Sequence, residues 1–193
     1  MIIAAVFAVI AIVLVIAFAA YSGRHEYTKR RIRTAFGPEY ARVRAEQGGT
    51  RAADRELARR SQMHDRLPLE PISANDREFY ATSWQHIRGG FLDDPGVAVT
   101  SAAQLLTRLL EARGYPVDDQ GEQLALLSVR HGPALADYRQ ALWVSERLRT
   151  NPASMPTEAK REALMQYQTL FEDLLTEPGA AVSRRIKESE VTP

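Results

Sequence analysis

The chain contains no cysteine, which excludes disulfides, thiolate nucleophiles and Cys-ligated metal together. Lysine is nearly absent too: 22 of the 25 basic residues are Arg and three are Lys. That bias reads as the composition of a GC-rich genome rather than as a phosphate-binding design. After the first 22 residues no run of alternating β-branched residues occurs, so no sheet is expected. The metalloprotease His-Glu-x-x-His, the nucleophile elbow Gly-x-Ser-x-Gly, the phosphate loop and the calcium ladder are all missing. No catalytic residue, metal or cofactor is therefore expected.

What the chain does have is an unbroken apolar run. Ile2 to Tyr21 carries no charge, no Pro and no Gly. At about 1.5 Å per residue such a run makes a helix about 30 Å long, the thickness of a bilayer's hydrocarbon core. Two readings compete, a permanent anchor over residues 1–22 and a cleaved signal peptide. Ala17-Phe18-Ala19 fits a small-residue cleavage site. The run, however, is longer than an ordinary signal core and has no Lys or Arg before it, and both features favour the anchor. Behind it stand Arg24, Lys29, Arg30, Arg31 and Arg33, with no basic residue on the other flank. The positive-inside rule then predicts a cell-membrane protein with its N-terminus outside and its body in the cytoplasm.

The charge of +1 hides an asymmetry. Residues 24–66 hold twelve Lys/Arg against six Asp/Glu, a net of +6, and residues 67–193 hold thirteen against eighteen, a net of −5. A basic segment beside a bilayer attracts anionic headgroups, at roughly 1 kcal/mol per residue near the surface. Arg24, Lys29, Arg30, Arg31 and Arg33 are thus the candidate lipid contacts, and the alternative is that they only enforce topology. Acids interleaved with the basic residues, and the lack of a stacking-aromatic pattern, argue against nucleic acid.

The remainder reads as all-α. A basic helical neck over 23–66 is broken at Gly37-Pro38 and at Gly48-Gly49. Phe36, Tyr40 and Val43 share one face, and Thr50 is placed to cap a polar helix with only Ala and Leu57 to bury. Two prolines make 67–72 an extended linker. A bundle of about five helices follows over 73–177. Ser73, Asp94 and Asp119 are its N-cap candidates, Gly114 ends one helix, and Thr157 is placed to cap the last. Tyr80, Trp84, Ile87 and Phe91 form one apolar stripe, expected in the core. A polar tail over 178–193 is expected to be disordered.

Chemistry-bearing clusters are few. His25, His64, His86 and His131 are too scattered to share a helix face, and His131 reads as a favourable cation beside a helix C-terminus. Asp93-Asp94 and Asp118-Asp119 sit where helices need caps, which accounts for one acid of each pair. Leu142 and Trp143 cannot both point inward. An exposed Trp143 is the candidate partner contact, since Trp is enriched at binding hot spots.

Phe36-Gly37-Pro38-Glu39-Tyr40, Phe91-Leu92-Asp93-Asp94-Pro95 and Arg113-Gly114-Tyr115-Pro116-Val117 resemble a family of uncharacterised single-pass membrane proteins frequent in actinobacteria. Ser128-Val129-Arg130-His131 and Tyr138-Arg139-Gln140-Ala141 match more loosely. Where this chain has Arg130-His131-Gly132-Pro133, family members often read Asp-His-Pro, so that turn departs. The resemblance implies a single anchor and a helical body, and it implies no activity. The expectation is a membrane-anchored helical domain that binds a protein partner. The alternative is a small-molecule or lipid-handling domain with a pocket lined by the Tyr80 and Trp84 stripe.

Overall fold

The computed structural model describes residues 36–176. They form seven α-helices and one 3-10 turn, with no strand among the described residues. In chain order the helices are α1 (Pro38–Glu46), α2 (Thr50–His64), α3 (Ala74–Gly89), α4 (Pro95–Arg113), α5 (Gln120–Leu127), α6 (Gly132–Thr150) and α7 (Thr157–Thr176). The 3-10 turn Gly90–Leu92 joins α3 to α4. The candidate anchor, the headgroup contacts Arg24 to Arg33 and the tail lie outside the described residues. Among those that are described, no helix is long and apolar enough to cross a membrane.

Local chemistry sets most of the boundaries. Asp94 is the N-cap of α4, and its carboxylate accepts from the backbone N–H groups of Gly96 and Val97, each at 2.9 Å. Ser73 and Asp119 cap α3 and α5 in the same way. Thr50 and Thr157 are not caps but the first residues of their helices. Gly49, with no side chain to bond the free N–H groups, stands at the N-cap of α2. Gly114 ends α4 in the left-handed region at φ 89°, and a Cβ there would lie 2.7 Å from the Pro68 carbonyl oxygen. Glycine at 114 thus does two things, turning the chain and letting the extended 67–72 segment lie against the end of α4. Leu69 and Ile72 of that segment are buried in the core, and the Glu70 N–H donates to the Arg113 carbonyl at 3.2 Å.

Helices α3 to α7 share one large apolar core. Helix α7 packs on α6 and α4, and α3 flanks α4 on its other side. Leu106, Leu109 and Leu110 of α4, Leu135 and Ala141 of α6, and Tyr167 and Leu170 of α7 are fully buried in it. The Tyr80–Trp84 stripe faces inward as its spacing requires. Trp84 stacks on Phe171 with centroids 4.7 Å apart, and the Tyr80 hydroxyl donates to the Arg108 carbonyl.

Helices α1 and α2 pack on each other, on α6 and on α5. Most of their apolar content is a small cluster of Phe36, Val43, Ala53 and Leu57, and Met63 of α2 packs against the larger core. Helix α2 also buries Arg60 and His64 on that side, which its polar sequence does not advertise.

Candidate functional site

Two places on the surface of this body concentrate polar chemistry. The first is the junction between α1–α2 and the bundle. Glu39, only 3% exposed, sits at the first turn of α1. Its carboxylate accepts from Arg42 on its own helix at 2.7 Å and from Arg139 on α6 at 2.8 and 2.9 Å. Arg60 of α2 reaches the same carboxylate at 3.5 Å and the Ser128 hydroxyl at 3.4 Å. Burial alone would raise the Glu39 pKa, but the hydrogen bonds and charges of Arg42 and Arg139 outweigh it and hold it below its usual value. Glu56 pairs with Arg59 and Arg60, and its carboxyl is held down at about 2.

Aromatic and imidazole groups extend the junction. His64 Nε2 lies 3.3 Å from the Tyr115 hydroxyl, the Tyr115 and His131 rings meet edge to face, and His131 Nδ1 lies 3.3 Å from Asp173. His131 is buried and stands at the N-cap position of α6. It therefore stands between two helices: its N–H donates to the Leu127 carbonyl at the end of α5, the helix C-terminus expected beside it, and α6 starts from the same residue. Glu39, His64 and His131 are each buried, and their polar partners are supplied by neighbouring segments. The junction is an internal clamp.

The second place is a groove of about 620 Å³ between α4 and α6. Trp143 stands on its rim at 47% exposure, and Leu142 beside it turns toward the core. The 3.6-residue period requires that the two neighbours part, and the packing turns Trp143 outward. The Arg147 guanidinium lies 5.2 Å from the indole centroid. The groove wall carries Leu124 and Ala103 with the uncharged polar side chains of Gln104, Thr107 and Gln120. Tyr167 borders it from α7, hydrogen-bonded to Ser145 at 2.7 Å, and burial pushes its pKa up to about 12, so it stays a neutral hydroxyl. Arg139, Glu146 and Arg149 add charge of both signs to the lining. An apolar rim beside polar and charged groups suits an amphipathic peptide segment.

Two further grooves flank α4. One, of about 630 Å³, runs between α3 and α4, and the other, of about 640 Å³, lies at the α4 N-terminus. Tyr80 and Trp84 line none of these three, because both side chains are used up in the core. Among the described residues no group of three or more His, Asp or Glu could hold a metal ion. Of the two acidic pairs, Asp94 and Asp119 act as caps. Sequence spacing singled out Trp143 but gave no sign of Glu39 or Arg139, whose partnership spans |i−j| = 100. No protein-family model, curated protein or solved structure matches this chain.

Proposed function

We propose that the chain is a membrane-anchored interaction protein. Residues 1–22 hold it in the bilayer with the N-terminus outside, Arg24, Lys29, Arg30, Arg31 and Arg33 meet anionic headgroups, and the helical body works on the cytoplasmic side. Its partner is a protein segment that places an apolar side chain in the α4–α6 groove against Trp143. The exposure of Trp143 carries this reading: a large indole is left at 47% exposure on the rim of a groove, while the core beneath it is closely packed. Trp in such a position is typical of a binding anchor. The anchoring run favours the same reading, since tethering raises the effective concentration of any surface-bound partner. The small-molecule alternative loses its expected pocket, because Tyr80 and Trp84 are packed against core residues.

The test is a photo-reactive residue at Thr107, which lines the groove, in the full chain in native membranes, with Glu158 on α7 as the control position. A discrete protein-sized adduct from Thr107 is expected, absent from Glu158 and lost with Trp143→Ala. An adduct of only a few hundred daltons would transfer the groove to the small-molecule reading. No adduct, or one indifferent to Trp143→Ala, would remove the groove from function.

A further inference from the structure

A different surface shows the marks of self-association. Helix α3 is the least packed of the long helices: of its 16 residues only Tyr80 and Trp84 are buried, against eight of 19 in α4. Phe79 is 57% exposed and stands beside the roughly 630 Å³ groove between α3 and α4. Ile87 and Leu105 supply the groove's other apolar side chains.

The α3 residues bordering this groove are symmetric along the helix. Phe79 and His86 lie equally far from the point between Thr82 and Ser83, and so do Glu78 and Ile87. A second α3 laid antiparallel across that point would bring Phe79 of each copy over His86 and Ile87 of the other. Both Phe79 rings would then enter a groove, and one two-fold axis would close the assembly. The charges select the same direction. Asp76 and Glu78, with Arg77 between them, make the N-terminal end acidic, while His86 and Arg88 make the C-terminal end basic. Antiparallel pairing sets unlike ends together and opposes the helix dipoles, whereas parallel pairing stacks like on like.

We propose that this groove binds a second copy of the same chain through an antiparallel α3–α3 contact. One groove is small beside the ~800 Å² per partner that free, stable dimers usually bury. The contact therefore depends on the membrane anchor for effective concentration, and to that extent rests on the anchored reading above.

The absence of cysteine supplies a clean test. Thr82→Cys in the full-length protein, in native membranes, places one thiol near the axis, and Glu158→Cys places one far from it. A short bis-thiol crosslinker should give a dimer from Thr82→Cys and at most a tenth as much from Glu158→Cys. Phe79→Asp, at an exposed position, should lower the Thr82→Cys dimer at least fivefold with the helical circular dichroism unchanged. Glu78→Arg should lower it as well, and Glu78→Arg with His86→Glu should restore it.

Equal crosslinking from both thiols means collision and overturns the proposal, as do an absent dimer, a product of heterologous mass or indifference to Phe79→Asp. Failure of the double variant to restore the dimer overturns the antiparallel register. Trp143→Ala should leave the dimer intact, so loss of the α4–α6 partner and loss of the dimer are separate results. If alkaline carbonate releases the chain from membranes and the dimer still forms, the anchored reading falls and self-association stands without it.

Discussion

The α3–α7 bundle and the α1–α2 pair are both helical, yet they are held by different forces. In the bundle, leucines, alanines and aromatic rings from five helices and the 67–72 segment close one continuous apolar core. In α1–α2 the apolar cluster is Phe36, Val43, Ala53 and Leu57, and its attachment to the bundle adds to the packing of Met63 and Val129 a set of polar contacts from Glu39 to Arg139 and from Arg60 to Ser128. Apolar burial is non-directional and adds with area. A buried carboxylate among guanidiniums is directional and fails as a unit when one partner goes. The difference teaches that the segment nearest the candidate anchor relies on directional charge as well as packing, on a bundle that does not need those charges to have a core.

The strongest way to break that comparison is to damage the apolar side. Leu109→Ala, at a fully buried position on α4, should cost about 3 kcal/mol by lost burial and cavity formation. Urea unfolding should show it as a lowered midpoint for the whole body, α1 and α2 included. Glu39→Gln should cost less, about 2 kcal/mol, because Arg139 and Arg42 are partly exposed and water can take up some of their charge. Its signature is place rather than size. Hydrogen exchange should quicken across α1 and α2 and stay unchanged at the buried amides of α4 and α7. Equal loss of protection in all four helices would make the body one cooperative unit and end the distinction.

Acid should sharpen the contrast. Glu39 and Glu56 both titrate below the ordinary 4.5 when folded, Glu56 at about 2. A depressed folded pKa stabilises fully above the unfolded value, and the contribution disappears as pH falls through the folded one. Between pH 4.5 and 2, therefore, α1–α2 should loosen ahead of the bundle, whose apolar core contains no carboxylate. Amide exchange or tryptophan fluorescence followed against pH would check the order, since both Trp84 and Trp143 report on the bundle alone.

What could be read in advance follows the same division. Pro38, Asp94-Pro95, Gly114 and the stripe from Tyr80 to Phe91 act through neighbours in sequence, so their roles in starting, stopping and facing helices were legible. That Leu142 and Trp143 could not both face inward was legible from their adjacency; that Trp143 is the one turned out is decided by packing. The clamp was not legible, because Glu39, Arg60, Ser128 and Arg139 come together only when α1 and α2 dock on α5 and α6. On the sequence Arg60 and His64 look like a solvated face, and their burial is decided by tertiary packing. His131 was read only in part for a related reason: the chain leaving α5 turns at once into α6, so one residue belongs to both ends.

The smallest effect tests the comparison from the opposite side, by making α1–α2 more like the bundle. Helices α3, α4 and α5 each begin with a side chain that bonds a free backbone N–H, whereas α2 begins at Gly49 with none. Gly49 has φ 162° and ψ 166°, an extended conformation open to any residue, and no atom lies within 4 Å of where its Cβ would be. Gly49→Asp should therefore supply the missing cap, add a favourable charge at the positive end of the α2 dipole and restrict the unfolded chain. Together these amount to about 0.5–1 kcal/mol. The gain should slow exchange in the first turn of α2 and partly offset Glu39→Gln, while leaving α4 and α7 as they were. If Gly49→Asp changes nothing in α2, local propensity does not limit this region, and its stability is set wholly by the clamp.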